Sequence, residues 1–239
     1  MPMKLSLIAF FIFKISLATT LFIPTTDNFS TPSKPGFLNV LLSKLEIRPS
    51  DIKYFPFKRA VSMYISDSAD TCFAGGDKII SQMYIPNFKE ENFIYSRKYL
   101  KIPSKIFSLN KVYCKVSEIE GKRVLTTQNF PVEKFIQREK LKSISDINDF
   151  NSAYKMLKSN RGDVIVTFFP SVLETVKKLK FCRDESLIIH FDSIQCHNTP
   201  KNREFIKRIN MKLDKLMNSG ELKNITKKSF KQYGDELSI

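Results

Sequence analysis

The sequence predicts an α/β fold made of two lobes of βαβ type. Two observations carry that prediction. Short apolar stretches alternate with stretches of helical periodicity, first through residues 21–76 and again through residues 122–179, and strand–helix–strand runs of this kind build parallel sheets. A long amphipathic tail follows, with Phe205, Ile206, Ile209, Leu213, Leu216 and Met217 on one stripe. The chain is large enough for both lobes, since 239 residues at 42% hydrophobic content can bury one or two sizeable cores. Only 7 Gly and 11 Pro are present, which excludes collagen-like and low-complexity classes.

The elements follow in order. Leu21, Phe22 and Ile23 make a short apolar run suited to a buried strand, and residues 24–35, rich in Thr, Ser, Asn and Pro, make a loop. Phe37, Leu38, Leu41, Leu42 and Leu45 recur at spacings that mark one face of a helix. Residues 52–55 alternate as a strand, and Pro56 fits the first turn of a helix whose face is Phe57, Ala60, Val61 and Tyr64. Residues 70–74 read as a third strand, stopped by Gly75 and Gly76. Residues 88–100 carry no assignable pattern, whereas 106–116 is hydrophobic and extended, as a crossing strand would be.

The second run begins with a strand at 122–126. Phe130-Pro131 opens a helix with Val132, Phe135 and Ile136 on one face, and residues 141–144 give a short strand. Asp146 is the expected N-cap of a helix whose apolar side is Phe150, Ala153, Tyr154 and Leu157, ended by Asn160-Arg161-Gly162. Residues 163–167 read as a strand and 168–179 as a helix. Thr199-Pro200 starts the tail helix, Gly220 supplies its left-handed terminus, and Leu222, Ile225 and Phe230 mark a last short helix.

Residues 1–18 combine Lys4, an apolar run over 5–13 and small residues at Ser16 and Ala18. That is the three-part pattern of a secretory signal peptide, and the run before Lys14 is far shorter than the roughly 20 residues that span a bilayer. A periplasmic or secreted protein is expected. Lys+Arg is 39 against 24 Asp+Glu, a net charge of +15. In an exported chain that charge points to anionic surfaces or solutes, and no basic block interleaved with aromatics suggests nucleic acid. Cys72, Cys114, Cys182 and Cys196 lack zinc-site spacing. An even count in an oxidising compartment permits two disulfides. Cys182 and Cys196 are one plausible pair, although sequence leaves every connectivity open.

Several segments carry a resemblance. Pro35-Gly36-Phe37-Leu38-Asn39 resembles a "G-F-x-x-D" start of a first helix, with Asn39 in the acidic place. Phe55-Pro56-Phe57-Lys58-Arg59 resembles "P-W-x-R", and Asp70 with the strand after it resembles a "D-hydrophobic" third strand. Ile119-Glu120-Gly121-Lys122-Arg123-Val124 resembles "L-x-G-K-x-V", and Leu157-Lys158-Ser159-Asn160-Arg161-Gly162-Asp163 resembles "L-x-x-G-R-x-D". Residues 210–225, with Leu213, Leu216, Gly220 and Leu222, resemble a closing helix pair. In this order, the segments resemble a family 3 extracellular solute-binding protein of the type 2 periplasmic binding fold. The resemblance implies a two-strand hinge, lobe 1 over 19–117 plus 192–239, and lobe 2 over 118–191. It further implies capture of a small-molecule solute in the interlobe cleft without chemistry. An ABC-type membrane permease would be the partner, with no cofactor, no nucleic acid and a monomeric chain.

In open α/β sheets a ligand sits beyond the carboxyl ends of the strands. Here those ends are residues 25–31, 74–78, 126–130 and 167–170, which nominate Asn28, Gly75, Asp77, Thr127, Gln128, Asn129 and Phe168 as ligand-binding residues. Thr127, Gln128 and Asn129 precede the expected helix, whose free N–H groups would attract an anion or carboxylate. Arg59 is a candidate to reach the cleft, and the alternative is that it fixes the helix end through Asp70 or a backbone carbonyl. Amino-acid-binding members of the family carry "T-P-x-R" after the third strand, where this chain has Gly75-Gly76-Asp77-Lys78. They also often carry an Asp after the last lobe 2 strand, where Thr167-Phe168 stands here. The residues that would hold an α-amino acid are therefore missing. The alternative is a basic, surface-interacting protein with a degenerate cleft that binds anionic partners. Catalysis has little support. His190 and His197 are the only histidines, and GxSxG, HExxH and GxxxxGK[ST] are all absent.

Overall fold

A computed structural model describes residues 19–25, 29–32, 36–67, 70–127, 130, 132–169 and 176–239. The expected signal peptide at 1–18 and the candidates Asn28, Gln128 and Asn129 lie outside the described residues. No described helix is long and apolar enough to cross a membrane.

The first run forms as expected. β1 (Thr20–Pro24), β2 (Ile52–Phe55) and β3 (Thr71–Gly76) are parallel, with β1 between the other two. α1 (Phe37–Lys44) and α2 (Phe57–Ser66) are the connecting helices. Asn39 serves the α1 start in the way an acidic residue would, because its Oδ1 accepts from the Gly36 N–H at 3.0 Å while its amide donates to the Tyr54 hydroxyl. α1 buries Phe37, Leu38, Leu41 and Leu42 in the main core, and α2 packs Ala60 and Tyr64 on the opposite sheet face against Phe22 and Phe73. The third strand does not stop at its glycines: it runs through both, with Gly75 at φ +97, where a side chain would strain the backbone. α3 (Lys78–Tyr84) then follows, an element the sequence pattern did not reveal.

The second run differs in its helices. β6 (Arg123–Thr127), β7 (Ser143–Ile147) and β8 (Val164–Phe168) are parallel, with β6 central. The helix expected after Phe130 is replaced by a 3₁₀ turn, Val132–Lys134. Phe130, Val132 and Ile136 are all buried, so the apolar spacing reflects core contacts, not helical periodicity. α4 (Phe150–Lys158) is capped by Asp149, whose Oδ1 accepts from Ser152 N–H at 2.8 Å, and Asp146 lies within β7 instead. Residues 164–168 are strand, so Phe168 ends β8 and does not begin a helix. Residues 170–175 of the expected helix lie outside the described residues, and Val176–Lys178 is a 3₁₀ turn.

Two long strands join the halves. β5 (Leu100–Ser108) and β10 (Ile188–His197) run antiparallel, and the crossing strand expected at 106–116 begins six residues earlier, at Leu100. Pro103 lies inside β5 and masked it, since proline argues against a strand interior. β10 changes partners midway. Ile188 to Asp192 pair with β5, a bulge follows Ser193, and the remainder pairs with β3 and with β4 (Phe93–Tyr95). β9 (Lys180–Phe181) pairs with β5. Among the described residues the sheet is 10-stranded, in the order β2-β1-β3-β10-β5-β8-β6-β7 with β4 and β9 at its side. α5 (Pro200–Asn218), α6 (Glu221–Phe230) and α7 (Gly234–Leu237) return over the first half, with Thr199 capping α5 and Gly220 left-handed at φ 72.

The disulfides are Cys72–Cys196 and Cys114–Cys182. The expected Cys182–Cys196 pair does not form. β10 carries Cys196 along an extended strand, at about 3.3 Å per residue, away from Cys182. The β3–β10 register instead sets Cys196 directly opposite Cys72, with Cα atoms 4.1 Å apart.

Candidate ligand-binding cleft

The carboxyl ends of β3 and β8 lie beside the crossing strands, with Gly76 opposite Ser193 of β10 and Phe168 opposite Ser104 of β5. On the first half the end of β3 is held from both sides. The Gly75 N–H donates to the Tyr99 hydroxyl at 3.1 Å. Tyr99 is fully buried, and burial holds its hydroxyl well above the usual phenol range. Asp77 caps α3 by accepting from the Ile79 N–H at 2.6 Å, and its other oxygen accepts from the Phe191 N–H of β10 at 3.2 Å. Both carboxylate oxygens are thus engaged with backbone.

On the second half, Thr127 and Thr167 are fully buried and hydrogen-bonded hydroxyl to hydroxyl, tying β6 to β8. The hydroxyl of Thr127 is thus spent inside the sheet. Phe168 lies at the end of β8 with its ring edge-on to Phe130 at 5.0 Å and to His190 at 4.9 Å. Arg59 is exposed and stacks over the Phe55 ring at 5.0 Å, while Asp70 pairs with Lys201 at 3.1 Å. The helix start expected to bind an anion after Thr127 is only the short 3₁₀ turn.

Between Gly75 and Phe168 lie two residues that strand-end reasoning missed. His190 and Asp192 are each 4% exposed, and His190 Nε2 lies 3.3 Å from Asp192 Oδ1. They share one face of β10, because side chains two apart in a strand point the same way. A Cβ added at Gly75 would lie 3.9 Å from both Asp192 carboxylate oxygens, so the carboxylate stands directly over the glycine. The sequence signal is His-x-Asp at strand spacing, which is informative only where residues 188–197 form a strand.

At the rim, α2 meets the end of β7. Lys58 Nζ lies 3.8 Å from Asp146 Oδ2, and Thr126 donates to Asp146 Oδ1 at 3.3 Å. Tyr84 of α3 is largely buried, and burial reinforced by the Asp146 charge raises its hydroxyl above the usual range. A separate groove of about 520 Å³ lies between β4 and α5, lined by Tyr95, Arg203, Ile206 and Met211 among others.

These features define a two-lobed type 2 periplasmic binding fold, with a floor of two crossing strands beneath the facing strand ends. Solved structures share it. The chain matches the GluR0 ligand-binding core from Nostoc punctiforme, in complex with L-glutamate, at TM-score 0.67 and 19% identity, covering 89% of this chain and 99% of that one. It matches an arginine third transport system periplasmic binding protein from Legionella pneumophila at TM-score 0.65 and 15% identity, covering 90% and 100%. It also matches the substrate-binding protein AbpA from Streptococcus pneumoniae, bound to L-arginine, at TM-score 0.64 and 16% identity, covering 90% and 96%. No protein-family model matches the chain, and no curated protein matches its sequence.

Proposed function

We propose that this protein is an exported solute-binding protein that captures a small solute between its lobes and releases it unchanged, serving an ABC-type permease. The observation that carries this reading is the arrangement at the crossing strands. Buried polar groups, His190 and Asp192, sit under the facing strand ends of a fold whose solved relatives include amino-acid binding proteins. Lobe 1 is assigned to 19–117 plus 192–239 and lobe 2 to 118–191, with closure by a hinge motion about β5 and β10. The signal peptide at 1–18 would deliver the chain to the periplasm or the exterior as a monomer. Among the sequence candidates, Gly75 and Phe168 flank His190 and Asp192, and Asn28, Gln128 and Asn129 remain candidates on their place in the sequence alone. Asp77 and Thr127 support the walls, and Arg59 is assigned no contact.

A thermal-unfolding screen tests the reading. A true ligand at 100 times its dissociation constant adds about 2.7 kcal/mol of stability. Silence across amino acids, organic acids, sugars and polyamines overturns it. The net charge of +15 favours a second reading, in which the surface binds anionic partners and the cleft is vestigial. Salt-sensitive binding to anionic vesicles, together with that silence, would support it.

A further inference from the structure

We propose that the floor of the cleft is a site for a small organic ammonium cation, with His190 Nδ1 and the Asp192 carboxylate as its acceptors. The inference rests on the cleft reading above and names its ligand class. His190 is 4% exposed, and its Nδ1 is buried without a hydrogen-bond partner. Its other nitrogen faces Asp192 Oδ1 at 3.3 Å. In the neutral ring with its proton on Nε2, toward Asp192, Nδ1 is a bare lone pair. A buried acceptor of that kind is costly unless a donor comes to it. Asp192 beside it is also an acceptor. It is 4% exposed and stands over Gly75, which has no side chain to cover it. The two acceptors face different sides of the imidazole, so a ligand that serves both brings several N–H donors and a positive charge.

The cations around this floor are committed elsewhere. Lys101 and Lys105 alternate with Ile102 on β5, and Ile102 is the partner of His190, so both lysines project from the opposite face. Lys105 donates to the carbonyls of Cys182, Arg183 and Glu185. Lys98 sits over the Phe191 ring at 4.4 Å, and Phe191 also alternates away from His190. Lys58 pairs with Asp146, Lys78 with Glu90, and Arg59 stacks on Phe55. Asp77 adds a second carboxylate close by on β3's end, joined to the Phe191 N–H. Among the described residues, a chain of net charge +15 therefore places acceptors around this floor, and the Lys and Arg side chains named above are engaged elsewhere. A ligand carboxylate would meet Asp192 without a counter-charge. Phe168, edge-on to His190 at 4.9 Å, offers an apolar surface to the ligand's carbon frame.

Titration calorimetry on the full mature chain tests this with putrescine, agmatine and tyramine, against N-acetyltyramine, succinate, arginine and glucose. The expected result is binding of at least one free amine, loss of binding on N-acetylation, and weakening by about thirtyfold in Asp192→Asn, the scale of removing one partner of a buried charge pair. His190→Phe keeps a ring against Phe168 and should weaken binding about tenfold. Melting of each variant without solute establishes that it is folded, and His190→Phe carries the test if Asp192→Asn is not. Binding of succinate or glucose alone overturns the ammonium assignment and leaves the solute-binding reading standing. Amine binding unchanged in both folded variants also overturns it, because the site then lies elsewhere. Binding of none of these solutes, nor of any in the wider screen, removes the cleft reading and this inference with it.

Discussion

Gly75 shows how one residue links backbone to site. Its φ of +97 is open to glycine alone at little strain, and an added Cβ would touch neighbours only at ordinary distance, 3.9 Å. Gly75→Ala should therefore cost about 1–3 kcal/mol through backbone strain, read as a lower denaturation midpoint. Gly76 differs: its added Cβ would lie 2.4 Å from Gln195 Cβ, so Gly76→Ala should disrupt the β3–β10 pairing more severely. Arg123 and Asp163 form a bidentate pair at 2.7 and 3.2 Å, and Asp163 also accepts from the Arg123 N–H. Arg123 holds the Asp163 carboxyl below the usual carboxylate range. Because the folded value is depressed, the stabilisation is fully present above the unfolded value, about pH 4, and is lost as pH falls through the folded value. Asp163→Asn should destabilise by about 1 kcal/mol at neutral pH, with a difference from the wild type that shrinks in acid denaturation.

Most elements were legible because their signals are local. The spacing of Phe37, Leu38, Leu41 and Leu42, the Thr199 cap and Gly220 each describe a few neighbouring residues, and all stand where the pattern placed them. The failures came where long-range contact decides structure. Pro103 hid β5, and the polar residues His190, Asp192, Ser193 and Gln195 hid β10. Two of them, His190 and Asp192, make the candidate site, so the element hardest to recognise is the one that carries it. The Cys72–Cys196 bond joins strands that are neighbours only in space, with a sequence separation of 124. Closing so long a loop restricts the unfolded chain, and Cys72→Ala with Cys196→Ala should lower stability by about 4–5 kcal/mol in denaturant titration. Cys114–Cys182, separated by 68 residues, ties the segment after β5 to the segment before β10. Its loss should loosen the hinge segments.

At the scale of the molecule, the two halves also meet at side-chain contacts among the described residues. Lys58 meets Asp146 at the rim, Asp77 accepts from the Phe191 N–H, and Phe169 of the second half packs edge-on against Tyr233 of the C-terminal return at 5.0 Å. The Lys58–Asp146 pair is well exposed, so Lys58→Ala should change stability by about 1 kcal/mol or less. On the proposed reading, closure depends mainly on what occupies the floor. A bound solute that bridges the lobes should hold them together, and the scattering radius should fall when it is added. The central claim is that this cleft retains a solute and leaves it chemically intact. Native mass spectrometry of the mature chain, incubated with the solute found by screening, tests it directly. One solute per chain, released on unfolding at its original mass, is the expected result; no adduct, or a solute of altered mass, would contradict the account.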